Sequence, residues 1–82
     1  MDANANTARM KREIYPVPDD ITQALNALGL LEAYHGRPAY QQNDYVGWIT
    51  RAKRKETREK RLRQMLDELQ AGGVYMNMKW NG

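Results

Sequence analysis

The sequence predicts a small all-α domain of three to four helices, with a disordered N-terminus and an extended C-terminal tail. Three observations lead to this fold class. The chain has 82 residues, which suffices for one domain with one core. Its apolar residues recur every three or four positions in three separate segments, the spacing of one helix face. Glycines and prolines stand between these segments, where helices end.

The chain divides into three parts by composition. Residues 1–13 are mostly polar or small and show no periodicity, so we predict a disordered N-terminal segment. Residues 14–73 contain the periodic segments and are predicted to form the helical domain. Residues 74–82 are predicted to form the extended C-terminal tail.

The first predicted helix begins at Asp19 or Asp20, because Pro18 suits the start of a helix and carboxylates favour its positive end. Its apolar face includes Ile21 and Leu25. Gly29 is expected to end it in a left-handed conformation. A further helical turn or two is expected over residues 30–35, before another glycine and a proline.

Two longer helices are predicted after this turn. The second spans about Ala39 to Lys53, and its apolar residues fall within an arc of roughly 100°. The third spans about Lys55 to Ala71, and two glycines close it. Its apolar face is formed by Leu62, Met65, Leu66 and Leu69.

The tail shows the period-two alternation of a strand. The apolar members of the pattern are Val74, Met76, Met78 and Trp80. A single strand needs another edge, another chain or a groove between helices. We therefore predict a tail laid over the helices, in a monomer or in a protein that self-associates weakly through this tail.

Composition excludes several classes of site. There is no cysteine and the only histidine is His35, so no metal or cofactor is predicted. The glycines do not form a phosphate-binding loop. No convergent acid, base or nucleophile can be identified, so we do not predict an enzyme. No apolar run reaches the ~20 residues of a membrane-spanning helix, and we expect a cytoplasmic protein without membrane insertion.

Positive charge is concentrated in one segment. The formal net charge is +3, but residues 51–63 hold eight basic and two acidic side chains. A solvated helix face is the commonest meaning of such a cluster. The functional alternatives are an acidic protein partner, which we favour, and nucleic acid. The candidate partner-binding residues are Arg51, Lys53, Arg54, Lys55, Lys60, Arg61 and Arg63.

Arg58 differs from these residues in its predicted position. At ~100° per residue it falls within the apolar arc of the third helix. A cation there is unfavourable unless it is paired. We predict a structural clamp to Asp20, Glu32 or Asp44, or to the free carbonyls of a neighbouring helix. The alternative is an anion-binding arginine in a cleft.

Several short segments carry a resemblance to a known family. Their order and spacing resemble the YdeI/OmpD-associated (bacteriocin-protection) family over about two thirds of the chain. The segments are Pro18 to Ile21, Ala24-Leu25, Tyr45-Val46, Trp48-Ile49, Ala52 to Arg54, Glu56 to Arg58, Arg61-Leu62 and Leu66 to Gly72.

The resemblance implies a helical module with a role linked to bacteriocin resistance or envelope stress. It implies no catalytic residues. The chain departs from the family pattern at Lys55, where the family often has proline. Proline would suit the first position of a helix, which agrees with a helix beginning at this residue.

Overall fold

The computed structural model describes residues 16–81. The predicted disordered segment, residues 1–13, lies outside the described residues. In chain order the helices are α1 (Asp19–Ala27), α2 (Leu31–His35), α3 (Ala39–Thr50) and α4 (Lys55–Ala71). Two short strands follow, β1 (Val74–Tyr75) and β2 (Met78–Lys79). The prediction of a small all-α domain with three to four helices is confirmed.

One apolar core holds the four helices together. Helix α4 packs against α2, α3 and β1, and α1 packs against α2. Burying these side chains supplies most of the free energy that stabilises the fold. The buried apolar side chains are Ile21, Leu25, Leu30, Tyr34, Tyr45, Val46, Ile49, Met65 and Leu69.

Helix α4 is a single uninterrupted helix of 17 residues, as predicted. Met65 and Leu69 are buried on its inner face, and Leu62 and Leu66 pack against the core while partly exposed. The helix ends at Gly72, which has a φ of 86°. Only glycine adopts this left-handed conformation without a steric penalty, which explains why the helix stops here.

Helix α3 is shorter than predicted, because it ends at Thr50 rather than near Lys53. The Trp48 carbonyl accepts a hydrogen bond of 2.6 Å from the Arg61 guanidinium, and the Ala52 amide, which would bond to that carbonyl in a longer helix, bonds to the Ile49 carbonyl at 3.3 Å instead. Arg54 then has extended backbone angles, φ −99° and ψ 143°, and separates the two helices. Residues 51–54 therefore form an exposed connection instead of a final helical turn.

The C-terminal tail is extended, but it forms a hairpin instead of a single strand. Val74 pairs with Lys79 and Tyr75 pairs with Met78 in an antiparallel arrangement. The two residues between the strands have positive φ angles, 51° at Met76 and 65° at Asn77. Alternation alone could not reveal this turn, because the sequence has no glycine at either position.

Candidate binding surface

Three consecutive basic side chains lie at the connection between α3 and α4. Lys53, Arg54 and Lys55 are all exposed. None of them makes an ion pair or a side-chain hydrogen bond with any residue between 16 and 81. Arg51, at the end of α3, is also exposed. We call these four residues the basic junction.

The start of α4 adds to the positive potential of the basic junction. The first amide groups of a helix point outward and carry partial positive charge. No side chain caps them at Arg54. Cations at this end of a helix are electrostatically unfavourable, although those that directly follow α3 complement the dipole of that helix. The charges of Lys53, Arg54 and Lys55 are therefore available to an external anion.

Arg61 does not belong to this accessible surface. Its guanidinium donates a hydrogen bond of 2.6 Å to the carbonyl of Trp48 and lies 5.3 Å from the centre of the Trp48 ring. The side chain is half-buried. Arg61 thus fastens α4 to the last turn of α3, where cations also complement the helix dipole.

Lys60 and Arg63 are exposed but form a separate group. Lys60 lies about 140° from Lys55 around the axis of α4, and Glu56 and Glu59 stand between them. Lys60 and Arg63 instead line an open groove of about 460 Å³ between α4 and the hairpin. Asp67 and Glu68 line the same groove, so its charges are mixed. The seven predicted residues therefore do not form one continuous surface.

Arg58 pairs with Asp20, one of its three predicted acidic partners. The two guanidinium nitrogens approach the two carboxylate oxygens at 2.6 and 3.3 Å, so the pair joins α4 to α1. The hydrogen bond from Arg58 holds the pKa of Asp20 below its ordinary value. The side chains are 28% and 56% exposed, so solvent weakens the interaction. Its role as a clamp stays a prediction.

Replacing Arg58 with methionine should lower the free energy of unfolding by less than about 1 kcal/mol at neutral pH. Because the pKa of Asp20 is lowered in the folded state, its contribution is present at neutral pH and is lost as the pH falls through that value. Urea titrations at pH 7 and at pH 2.5 measure both effects. The difference between wild type and variant should be smaller in acid, and a difference that stays the same at both pH values would contradict the ion pair.

The sequence did not reveal a buried pair of charged residues, Arg37 and Glu68. Each is only 5% exposed. Arg37 donates hydrogen bonds to the side chain of Gln41 at 3.0 Å and to the carbonyls of Glu68 and Val74 at 3.1 and 2.9 Å. The Trp80 ring lies 4.5 Å from its guanidinium carbon. Arg37 therefore ties the connection between α2 and α3 to α4 and the hairpin.

The Glu68 carboxylate accepts four hydrogen bonds. Its donors are the hydroxyl of Tyr45, the side-chain amide of Gln64 at 3.1 Å, and the main-chain amides of Met76 and Asn77 at 2.8 Å each. Burial raises the pKa of Glu68, but these bonds lower it by more, so the pKa lies below its ordinary value. The group is a structural anion that holds the turn of the hairpin.

One weak sequence signal pointed to Glu68. It lies about 60° from Met65 around α4, beside the buried face and not opposite to it. A carboxylate in that position needs donors from another element. Arg37 gave no such signal. It stands between Gly36 and Pro38, outside any helix, so no apolar period indicates whether its side chain is buried.

A family model described as "Bacteriocin-protection, YdeI or OmpD-Associated" matches residues 15–72. The chain belongs to this family. The match covers all four helices and ends at Gly72, immediately before the hairpin. No curated protein and no solved structure matches the chain.

Two kinds of site are missing from the described part of this YdeI/OmpD-associated domain, a metal centre and a membrane-spanning helix. Within residues 16–81, no three His, Cys, Asp or Glu side chains lie close enough to hold a metal ion. His35, which was predicted not to bind one, is exposed. No helix in the same residues is long and apolar enough to cross a membrane.

Proposed function

We propose that this YdeI/OmpD-associated domain is a non-enzymatic interaction module that binds an acidic protein through the basic junction. The observation that carries the proposal is the contrast among the basic residues. Arg37, Arg58 and Arg61 are each engaged within the fold. Lys53, Arg54 and Lys55 have no such engagement with residues 16–81 and project from a short connection.

One further observation supports a binding role over a catalytic one. Asp20 and Glu68 are the acidic groups with shifted pKa values, and internal hydrogen bonds occupy both. Neither is available to exchange a proton with a substrate. The family description points to protection against bacteriocins, and we place the module in that role, in the cytoplasm.

Nucleic acid is the less favoured partner for the same surface. A protein that follows a nucleic-acid backbone presents a continuous basic stripe. On α4 the stripe is interrupted by Glu56 and Glu59, both of which are exposed. An acidic protein surface can be met by a compact group of three or four cations, because it need not extend along the helix.

The proposal is tested by fluorescence anisotropy with two labelled probes, a glutamate-rich peptide and a DNA duplex of matched charge. We expect the peptide to bind at 50 mM salt and to weaken strongly at 200 mM, because exposed charges are screened over about 10 Å. We expect the duplex to bind more weakly than the peptide at each salt concentration. A tighter complex with the duplex, or no binding of the peptide at 50 mM salt, would contradict the proposal.

A further inference from the structure

The C-terminal hairpin is attached to the helices in a different way from the rest of the fold. No side chain between Val74 and Asn81 is buried. By contrast, Ile21, Leu25 and Ile49 in the helices are fully buried. The hairpin therefore gains less from the hydrophobic effect than the helical core does, and its position depends more on polar contacts.

Four polar contacts hold the hairpin in place. Glu68 accepts hydrogen bonds from the amides of Met76 and Asn77, both at 2.8 Å. Arg37 donates one to the carbonyl of Val74 at 2.9 Å. The Tyr75 hydroxyl donates the fourth to the exposed carboxylate of Asp44 at 2.6 Å. The three partner residues of these contacts lie in or beside the helices and stay there if the hairpin moves away.

The turn of the hairpin opposes its own closure. Met76 and Asn77 both have positive φ angles. Asparagine tolerates this conformation, but a methionine side chain meets a steric penalty there. The Glu68 carboxylate offsets the penalty, because it binds both amides only when the turn is formed. Closure is thus conditional on one side chain.

We propose that the hairpin is a strap that opens and closes as a unit on a helical domain that stays folded, with Glu68 as its latch. When the strap opens, Arg37 loses the Val74 carbonyl and the Trp80 ring that cover it. The same motion removes two of the four donors to Glu68 and one of the aromatic neighbours of Tyr45, since Tyr75 lies 5.4 Å from the Tyr45 ring. Opening therefore exposes a cation, an anion and a tyrosine that the closed state conceals.

Local opening of this kind is measured by hydrogen exchange of single amides, read by NMR on the full chain at neutral pH. The strap is reported by the amides of Met76, Asn77 and Trp80, the last of which donates to Gly73 at 2.9 Å. The helical domain is reported by the amides of Met65 and Leu69. We expect the strap amides to exchange at least about tenfold faster than the helix amides.

Two variants separate a strap from an ordinary part of the core. Tyr75→Phe removes only the bond to Asp44, so the strap amides should exchange about three- to tenfold faster while the helix amides change less than about twofold. Glu68→Gln replaces one acceptor oxygen with an NH₂ group facing the turn, and its effect on the strap amides should be larger. Asp20→Asn is the control, because it breaks an ion pair on α1 and should leave the strap amides unchanged.

The proposal is overturned by either of two results. The first is that strap and helix amides exchange at the same rate in the wild-type protein. The second is that Tyr75→Phe accelerates both sets by the same factor, because the hairpin and helices would then unfold together. Tyr75→Phe decides the question even if Glu68→Gln fails to fold, since the Tyr75 hydroxyl touches only an exposed carboxylate.

Discussion

Replacing Arg37 with methionine is expected to lower the free energy of unfolding by about 2–4 kcal/mol. The methionine keeps most of the aliphatic volume but removes the arginine donor from three acceptors: the side chain of Gln41 and the carbonyls of Glu68 and Val74. The Glu68 carbonyl keeps its bond from the Gly72 amide, but the side chain of Gln41 is fully buried, where water cannot replace the lost bond cheaply. A domain of this length has only about 4–12 kcal/mol of stability, so the loss is severe.

Urea unfolding followed by circular dichroism at 222 nm measures the effect. Arg54→Met is the matched control, because it removes the same cation from an exposed position. The side chain of Arg54 makes no hydrogen bond or ion pair with residues 16–81. It should change the stability by less than about 0.5 kcal/mol. If Arg37→Met and Arg54→Met have equal effects, the buried arginine does not have the structural role assigned to it.

Replacing Ile49 with alanine is expected to cost about 3 kcal/mol. Ile49 has no exposed surface and lies in α3 among the core residues of the other helices. The substitution removes three buried carbon atoms. Side chains from several helices surround Ile49, so they cannot move far enough to fill the cavity that remains. The expected cost therefore includes a cavity as well as the lost transfer free energy.

Leu28→Ala is the matched control for this substitution. Leucine and isoleucine side chains are isomers, so each substitution by alanine removes three carbon atoms. Leu28 is 53% exposed, and its truncation should cost less than about 1 kcal/mol in the same urea experiment. A cost for Leu28→Ala as large as that for Ile49→Ala would show that the core is centred elsewhere.

The helices could be predicted because the interactions that form them are local. The bounds of α4 follow from its apolar period and from Gly72, the first of the two glycines that were predicted to close the helix. Gly29, with a φ of 68°, ends the first helical segment for the same reason. The end of α3 was wrong by three residues, because the side chain of Arg61, on another helix, bonds to the Trp48 carbonyl where the Ala52 amide would continue the helix, and periodicity does not show this contact.

The buried polar network could not be predicted, because its contacts are distant in sequence. Arg37 bonds to carbonyls 31 and 37 positions away. The hairpin turn likewise depends on Glu68, a residue outside the hairpin, and its own two residues carry no glycine signal. For the same reason the sequence could not show which basic residues are accessible. Only the tertiary structure shows that Arg61 donates a hydrogen bond to the Trp48 carbonyl in α3.

The proposed role of the basic junction is binding, and a pair of charge reversals separates the position of a charge from its amount. Arg54→Glu changes the net charge by the same amount as Lys79→Glu, but Arg54 immediately precedes α4, whereas Lys79 pairs with Val74, three residues after this helix of about 25 Å ends. With the glutamate-rich peptide at 50 mM salt, Arg54→Glu should weaken binding at least about fivefold more than Lys79→Glu, while both variants keep wild-type stability. Equal losses of affinity would show that only net charge matters and would contradict a binding site at the basic junction.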